Sequence, residues 1–222
     1  MTLVSAHRCL TSADIERAIA LGADFVEFDV QRCADGTLVL HHDAVDEVPP
    51  GALRYDDALD LLAGRARAHL DLKFEGGEVP VVARAVDRLG TDHMLVTTLH
   101  DHAVRAVLDW AEAEGHPLEV GLSLGRGVGG SPLWEAIKVR TSEIWPGVRY
   151  RLSGANVVVA HHWLARLRVR RFARRHQLPL VVWTVDTPGS LRYWMRPGRA
   201  WLVTTNQPAL ALGLRPADKL HP

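Results

Sequence analysis

Short apolar runs rich in β-branched residues alternate along this chain with longer stretches of helical period. TLVSA (2–6), DFVEFDV (24–30), AHLDLKF (68–74), HMLVTTL (93–99), LEVGLSL (118–124), ANVVVA (155–160), LPLVVWTV (178–185) and AWLVTT (200–205) read as eight strands. Helical patterns separate them. SADIERAIALG (12–22) has Ser12 placed to cap it and Gly22 to stop it. Further helices are expected at 55–64, 79–90, 103–115 and 163–177, with a short one at 190–198. DGTLVLHHD (35–43) reads as a turn and an extended arm. The least regular part is 125–154, which opens on GRGVGGSP and continues as a helix and a loop; PALALGL (208–214) closes the series.

Repeated strand–helix alternation argues for a parallel sheet. The strands carry few polar residues before their C-terminal ends, as expected when both faces of a sheet are covered. Eight such units in 222 residues predict one compact (β/α)8 TIM barrel, a single domain over 1–222. That length lies near the lower end of the fold's range, which starts at roughly 200 residues. A doubly wound open sheet is the competing architecture. No glycine-rich phosphate loop follows the first strand, which weakens a nucleotide-binding version of it.

Composition narrows the function. The chain is 47% hydrophobic and 23% charged, ordinary values for a globular protein. Its 26 basic residues balance 26 acidic ones, so nucleic acid is not an expected partner. Cys9 and Cys33 form no CxxC pair and are expected to be free thiols. The first residues lack the pattern of a signal peptide, and no apolar run is long enough to span a bilayer, so a cytoplasmic location is expected. Twelve histidines are many for this length and invite a chemical explanation.

In a barrel of this type, functional groups come from the C-terminal ends of the strands. His7 and Arg8 lie just past the first strand, Glu27 and Asp29 at the end of the second, and Asp71 and Lys73 at the end of the third. His41, His42 and Asp43 end the extended arm. Side chains alternate across a strand, so Glu27 and Asp29 share a face, as do Asp71 and Lys73. If those faces look inward, three carboxylates converge, and they must then take up protons or bind a cation. Oxygen ligands suit Mg²⁺ or Ca²⁺ better than zinc. With Arg8 and Lys73 to offset phosphate charge and two histidines to move protons near neutral pH, the set fits a phosphodiester. Taken singly, each of these short motifs is commoner as a solvated strand end or a surface ion pair. Their joint placement carries the reading.

The sequence resembles the glycerophosphodiester phosphodiesterase family at HR (7–8), at LGADFVEFDVQRCADGTLVLHHD (21–43), at LDLK (70–73), at VVWTVD (181–186) and at VTTNQP (203–208). The 21–43 block is the specific one, and the matches run in family order along nearly the whole chain. The resemblance implies a barrel of the phospholipase C-like phosphodiesterase type with minimal insertion after the second strand. It implies His7 and His42 as the catalytic pair, Arg8 and Lys73 as phosphate-binding residues, and Glu27, Asp29 and Asp71 as ligands of a divalent metal, Mg²⁺ or Ca²⁺. Trp183 matches the family's aromatic at the end of strand seven. It is expected to wall the pocket against glycerol, although plain barrel packing would use the same side chain. The implied reaction passes through a cyclic phosphate and yields glycerol 3-phosphate and an alcohol.

Three features depart from the family pattern. Cys9 stands where the family has glycine, TSAD follows where the family has a P-E-N-T run, and Asp71 replaces the more common glutamate. Only AVDEVPPGALRY separates Asp43 from the next helix, so the mouth is expected to be open. An open mouth keeps lysophospholipids as substrates, in the manner of a lysophospholipase D or a sphingomyelinase D-like enzyme. A catalytically weak barrel that binds a phosphorylated metabolite is the non-enzymatic alternative. The helix at 163–175 carries six arginines; it reads as a solvated outer helix, although such a helix can also rest weakly on an anionic membrane.

Overall fold

The computed structural model describes residues 1–125 and 132–215, with the side chains of 135 and 136 excepted. Most of the GRGVGGSP run therefore lies outside the described residues. Eight parallel strands form a closed barrel: β1 (Leu3–Ala6), β2 (Phe25–Arg32), β4 (Arg67–Leu72), β5 (Met94–Thr98), β6 (Glu119–Leu124), β7 (Val157–His161), β8 (Leu180–Trp183) and β9 (Leu202–Thr205). β1 closes it by pairing with β2 on one side and β9 on the other. The extended arm becomes β3 (Leu38–Leu40), a short strand antiparallel to the end of β2. Each of the eight expected strands is present. No described helix is long and apolar enough to cross a membrane.

Strand parity builds two cores. Along β2, Val26, Phe28 and Val30 point outward into the layer shared with the helices, where they meet Ile15, Ala18 and Leu59. Phe25, Glu27 and Asp29 take the opposite face and look into the barrel. The floor of the barrel is apolar, made by Phe25, Leu95, Val157, Val159, Val181 and Leu202. Above that floor the inward positions turn polar, with Glu27 in register with His69 and Asp29 in register with Asp71. Gly121 leaves room here, because a Cβ would fall 2.4 Å from Cγ2 of Val159. The apolar floor stabilises the barrel, and the polar upper layer is open to chemistry.

The outer layer consists of α1 (Ser12–Ala20), α2 (Tyr55–Leu62), α3 (Glu78–Leu89), α4 (Asp101–Glu114), α5 (Leu133–Ile144), α6 (Gly147–Ser153), α7 (162–175), α8 (Pro188–Trp194) and α9 (Pro208–Gly213). α7 contains a π-helical turn at Ala165–Val169. One expectation needs correcting: Thr11, not Ser12, caps α1. Thr11 holds the extended backbone a cap requires and accepts from the Asp14 N–H, so Ser12 is already the first helical residue. Gly22 does end the segment, at φ +74°, a left-handed conformation that glycine adopts without strain.

Candidate active site

The polar layer opens into a cavity of about 300 Å³ at the C-terminal ends of the strands. His7, Arg8, Glu27, Asp29, His42, Asp71, Lys73 and Trp183 all line it. The structure thus brings together every site residue expected from the sequence. His41 stands apart, with its Nδ1 on the carbonyl of Asp43 at 2.8 Å.

One carboxylate oxygen from each of Glu27, Asp29 and Asp71 lies within 4.8 Å of the other two. Glu27 and Asp29 are buried and Asp71 is partly buried. Burial raises the pKa of Glu27 well above its ordinary value, and the charges of Asp29 and Asp71 raise it further. Lys73 answers part of this charge, reaching Asp29 at 2.9 Å and Asp71 at 2.5 Å. Burial alone would lower its pKa, but the two carboxylates outweigh burial and hold the ammonium above the usual lysine value. Arg8 is the second cation, with Nε 3.9 Å from Asp29. Three carboxylates facing two cations fit a further positive ion. Their all-oxygen donor set suits a hard divalent cation.

His42 is held at both ring nitrogens. Nδ1 lies 2.7 Å from Asp29, and Nη2 of Arg8 lies 2.7 Å from Nε2. A guanidinium only donates, so Nε2 accepts and Nδ1–H donates to Asp29. Arg8 reaches this position through a left-handed backbone, φ 53°, while its N–H donates to Glu27 at 2.6 Å. Positive φ in a non-glycine residue is uncommon and concentrates at functional sites. The next residue, Cys9, has no positive φ, so a side chain at the family's glycine position introduces no backbone strain. Cys9 is buried, and both thiols are free.

His7 is oriented from the opposite end of the chain. Its Nδ1 lies 3.0 Å from Oδ1 of Asn206. Nδ2 of Asn206 donates to Asp186 at 2.7 Å, and Asp186 also accepts from the Asn206 backbone N–H. A carboxylate can only accept here, which turns the amide oxygen toward His7 and places the ring proton on Nδ1. Nε2 is left facing Glu27 at 3.9 Å. Burial lowers the pKa of His7, and the bond to Asn206 offsets part of that shift.

Beneath the carboxylates runs a second chain of contacts. Thr97 Oγ1 donates to Asp71 at 2.8 Å; Nε2 of His69 lies 3.2 Å from the same hydroxyl, and Nδ1 of His69 lies 3.2 Å from Ser5 Oγ. Burial lowers the pKa of His69 to about 4, so it is neutral at physiological pH. The sequence pattern alone assigns no role to His69, Thr97, Asp186 or Asn206. His69 was legible, because the parity that joins Asp71 to Lys73 extends two residues back to it. Asp186 and Asn206 lie inside the VVWTVD and VTTNQP segments, but their mutual contact is a property of the closed barrel. Trp183 lines the cavity edge-on to His161, with ring centroids 5.4 Å apart, and its buried Nε1 has no partner among the described residues.

Residues 10–112 match the glycerophosphoryl diester phosphodiesterase family. Over this segment the chain is similar to that family. Solved structures agree at the level of fold. The chain is similar to a glycerophosphodiester phosphodiesterase from Parabacteroides distasonis, with 17% identity, a TM-score of 0.73 and 96% of each chain covered. It is also similar to one from Agrobacterium tumefaciens, at 19% identity and a TM-score of 0.71, over 96% of this chain and 100% of that one. A third, an Oleispira antarctica phosphodiesterase in complex with the product sn-glycerol-3-phosphate, has 16% identity and a TM-score of 0.70, with 96% of each chain covered. No curated protein matches the chain.

Proposed function

We propose that this glycerophosphodiester phosphodiesterase domain uses Glu27, Asp29 and Asp71 to hold one divalent cation, Mg²⁺ or Ca²⁺, and the His7–His42 pair to move protons. The carrying observation is the carboxylate cluster beside two histidines whose tautomers are both fixed. A cation bound there supplies Lewis-acid stabilisation of the phosphoryl oxygens. Arg8 and Lys73 bind the remaining phosphate charge, and Trp183 walls the glycerol side. A cavity of about 300 Å³ suits a compact glycerophosphodiester such as glycerophosphocholine.

His7 is the base in this reading, because its Nε2 is unprotonated and its pKa is lowered. It takes the proton of the glycerol 2-hydroxyl as that oxygen bonds to phosphorus. His42, its imidazolium stabilised by Asp29, protonates the departing alcohol as the second P–O bond breaks. This requires Arg8 to leave Nε2 of His42 and turn toward the phosphate. Water then opens the cyclic phosphate with the two roles reversed, giving glycerol 3-phosphate and the alcohol.

Purified protein should be assayed on glycerophosphocholine, a lysophospholipid and bis(p-nitrophenyl) phosphate, with Mg²⁺, with Ca²⁺ and with EDTA. We expect metal-dependent turnover of glycerophosphocholine that EDTA abolishes. His7→Ala and His42→Ala should each lose roughly a hundredfold to ten-thousandfold in kcat. Full activity in either variant contradicts its role, and exclusive turnover of the lysophospholipid contradicts the substrate class.

A further inference from the structure

The flank of the barrel built by α6 and α7 carries charge and apolar surface that the active site does not use. Between them lies a groove of about 890 Å³. Five arginines line it, namely Arg151, Arg168, Arg171, Arg174 and Arg175, and none of its described lining residues is acidic. Nearby arginines are neutralised: Arg149 pairs with Asp101 at 2.6 Å, and Arg140 with Glu143 at 2.6 Å. The five in the groove form no ion pair among the described residues. The chain as a whole is formally neutral, so this cluster is a segregation of charge rather than a consequence of composition.

Large apolar side chains stand among these arginines. α7 buries Leu164, Ala165, Val169 and Ala173 against the barrel and turns Leu167 outward between Arg166 and Arg168. Leu167, Trp145 and Val148 in the groove, and Leu152 beside it on α6, are each more than half exposed. The guanidinium of Arg168 lies 3.2 Å from the centroid of the Trp145 ring. On α5, Leu133, Trp134 and Ile137 are exposed as well. A solvated outer helix explains the arginines but not this company. Contiguous exposed apolar surface marks an interaction site.

We propose that the α6–α7 flank docks on the surface of an anionic phospholipid bilayer. Charge complementarity selects an anionic partner. The partner must also accept leucine, valine and tryptophan beneath its charged layer, which a bilayer interface does and a nucleic-acid backbone does not. The arginines engage lipid phosphates while Trp145, Val148, Leu152 and Leu167 enter the boundary with the acyl chains. Docking of this kind does not depend on the chemistry proposed for the cavity.

Co-sedimentation of the whole chain with phosphatidylcholine vesicles, and with vesicles of equal parts phosphatidylcholine and phosphatidylglycerol, tests this. Binding is expected only to the anionic vesicles, weakening as salt rises. The triple variant R171E/R174E/R175E should bind about tenfold more weakly or worse. Trp145→Ala with Leu167→Ala, a neutral change that spares the arginines, should also weaken binding. Both variants should turn over soluble glycerophosphocholine like the native protein, which reports that they are folded. Equal binding to phosphatidylcholine alone would overturn the proposal. So would undiminished binding by the charge-reversed variant, or binding to a DNA duplex with none to vesicles. Vesicle binding by a native protein without turnover would sink the catalytic reading and leave docking intact.

Discussion

In the proposed mechanism His7 can act as a base only in the tautomer that leaves Nε2 unprotonated, and its contact with Asn206 selects that tautomer. Asp186 in turn decides which way Asn206 faces, since it accepts from both the side-chain amide and the backbone N–H. Such orienting contacts are worth roughly tenfold to a hundredfold in related sites. Asn206→Ala should therefore lower kcat on glycerophosphocholine by that factor with little change in KM, and Asp186→Asn should do the same by freeing the amide to flip. The acidic limb of the pH profile should move in both variants, because the bond to Asn206 raises the His7 pKa and its loss lowers it. An unchanged profile with normal kcat contradicts the relay. At this scale the sequence was informative where one strand sets the spacing, as for Glu27 with Asp29. Asp186 and Asn206 sit on loops after different strands, and only barrel closure brings them to His7.

At the scale of elements, strand parity does most of the work. Alternation along β2 and β4 predicts an inward face for Glu27, Asp29 and Asp71, and the apolar floor beneath them follows from the same period. Helix starts were less legible: Thr11 and Ser12 are chemically similar caps, and only the extended backbone at Thr11 decides between them. Parity also buries His69 between β1 and β5, with a measurable consequence. An unfolded histidine titrates near its ordinary value of 6.5, whereas folded His69 titrates at about 4. Between these values the unfolded chain binds a proton that the folded chain does not, so stability rises with pH across the window. The contribution is complete above the unfolded value and is lost as pH falls toward the folded one. From neutral pH down to about pH 5 the loss should be on the order of 2 kcal/mol. Urea unfolding of the native protein should therefore weaken more steeply over this range than that of His69→Gln. Parallel declines would show that His69 is not buried neutral.

For the whole molecule, the order of eight strands was readable because each β-branched run is short, apolar and bounded by helical period. The closed barrel then collects groups from both ends of the chain into one cavity, from His7 on one side of the closure to Asn206 on the other. The α6–α7 groove was less readable. The arginines of α7 are plain in the sequence, but the exposure of Trp145, Val148 and Leu152 depends on how α6 packs, and no periodic pattern announces it.

Whether Glu27, Asp29 and Asp71 form one cation site is tested most directly by calorimetric titration of metal-free protein with Mg²⁺ and with Ca²⁺. One ion should bind per chain, and Glu27→Gln and Asp29→Asn should each weaken binding by about tenfold or more. Absence of binding to the native protein, or equal binding to the variants, would contradict the account.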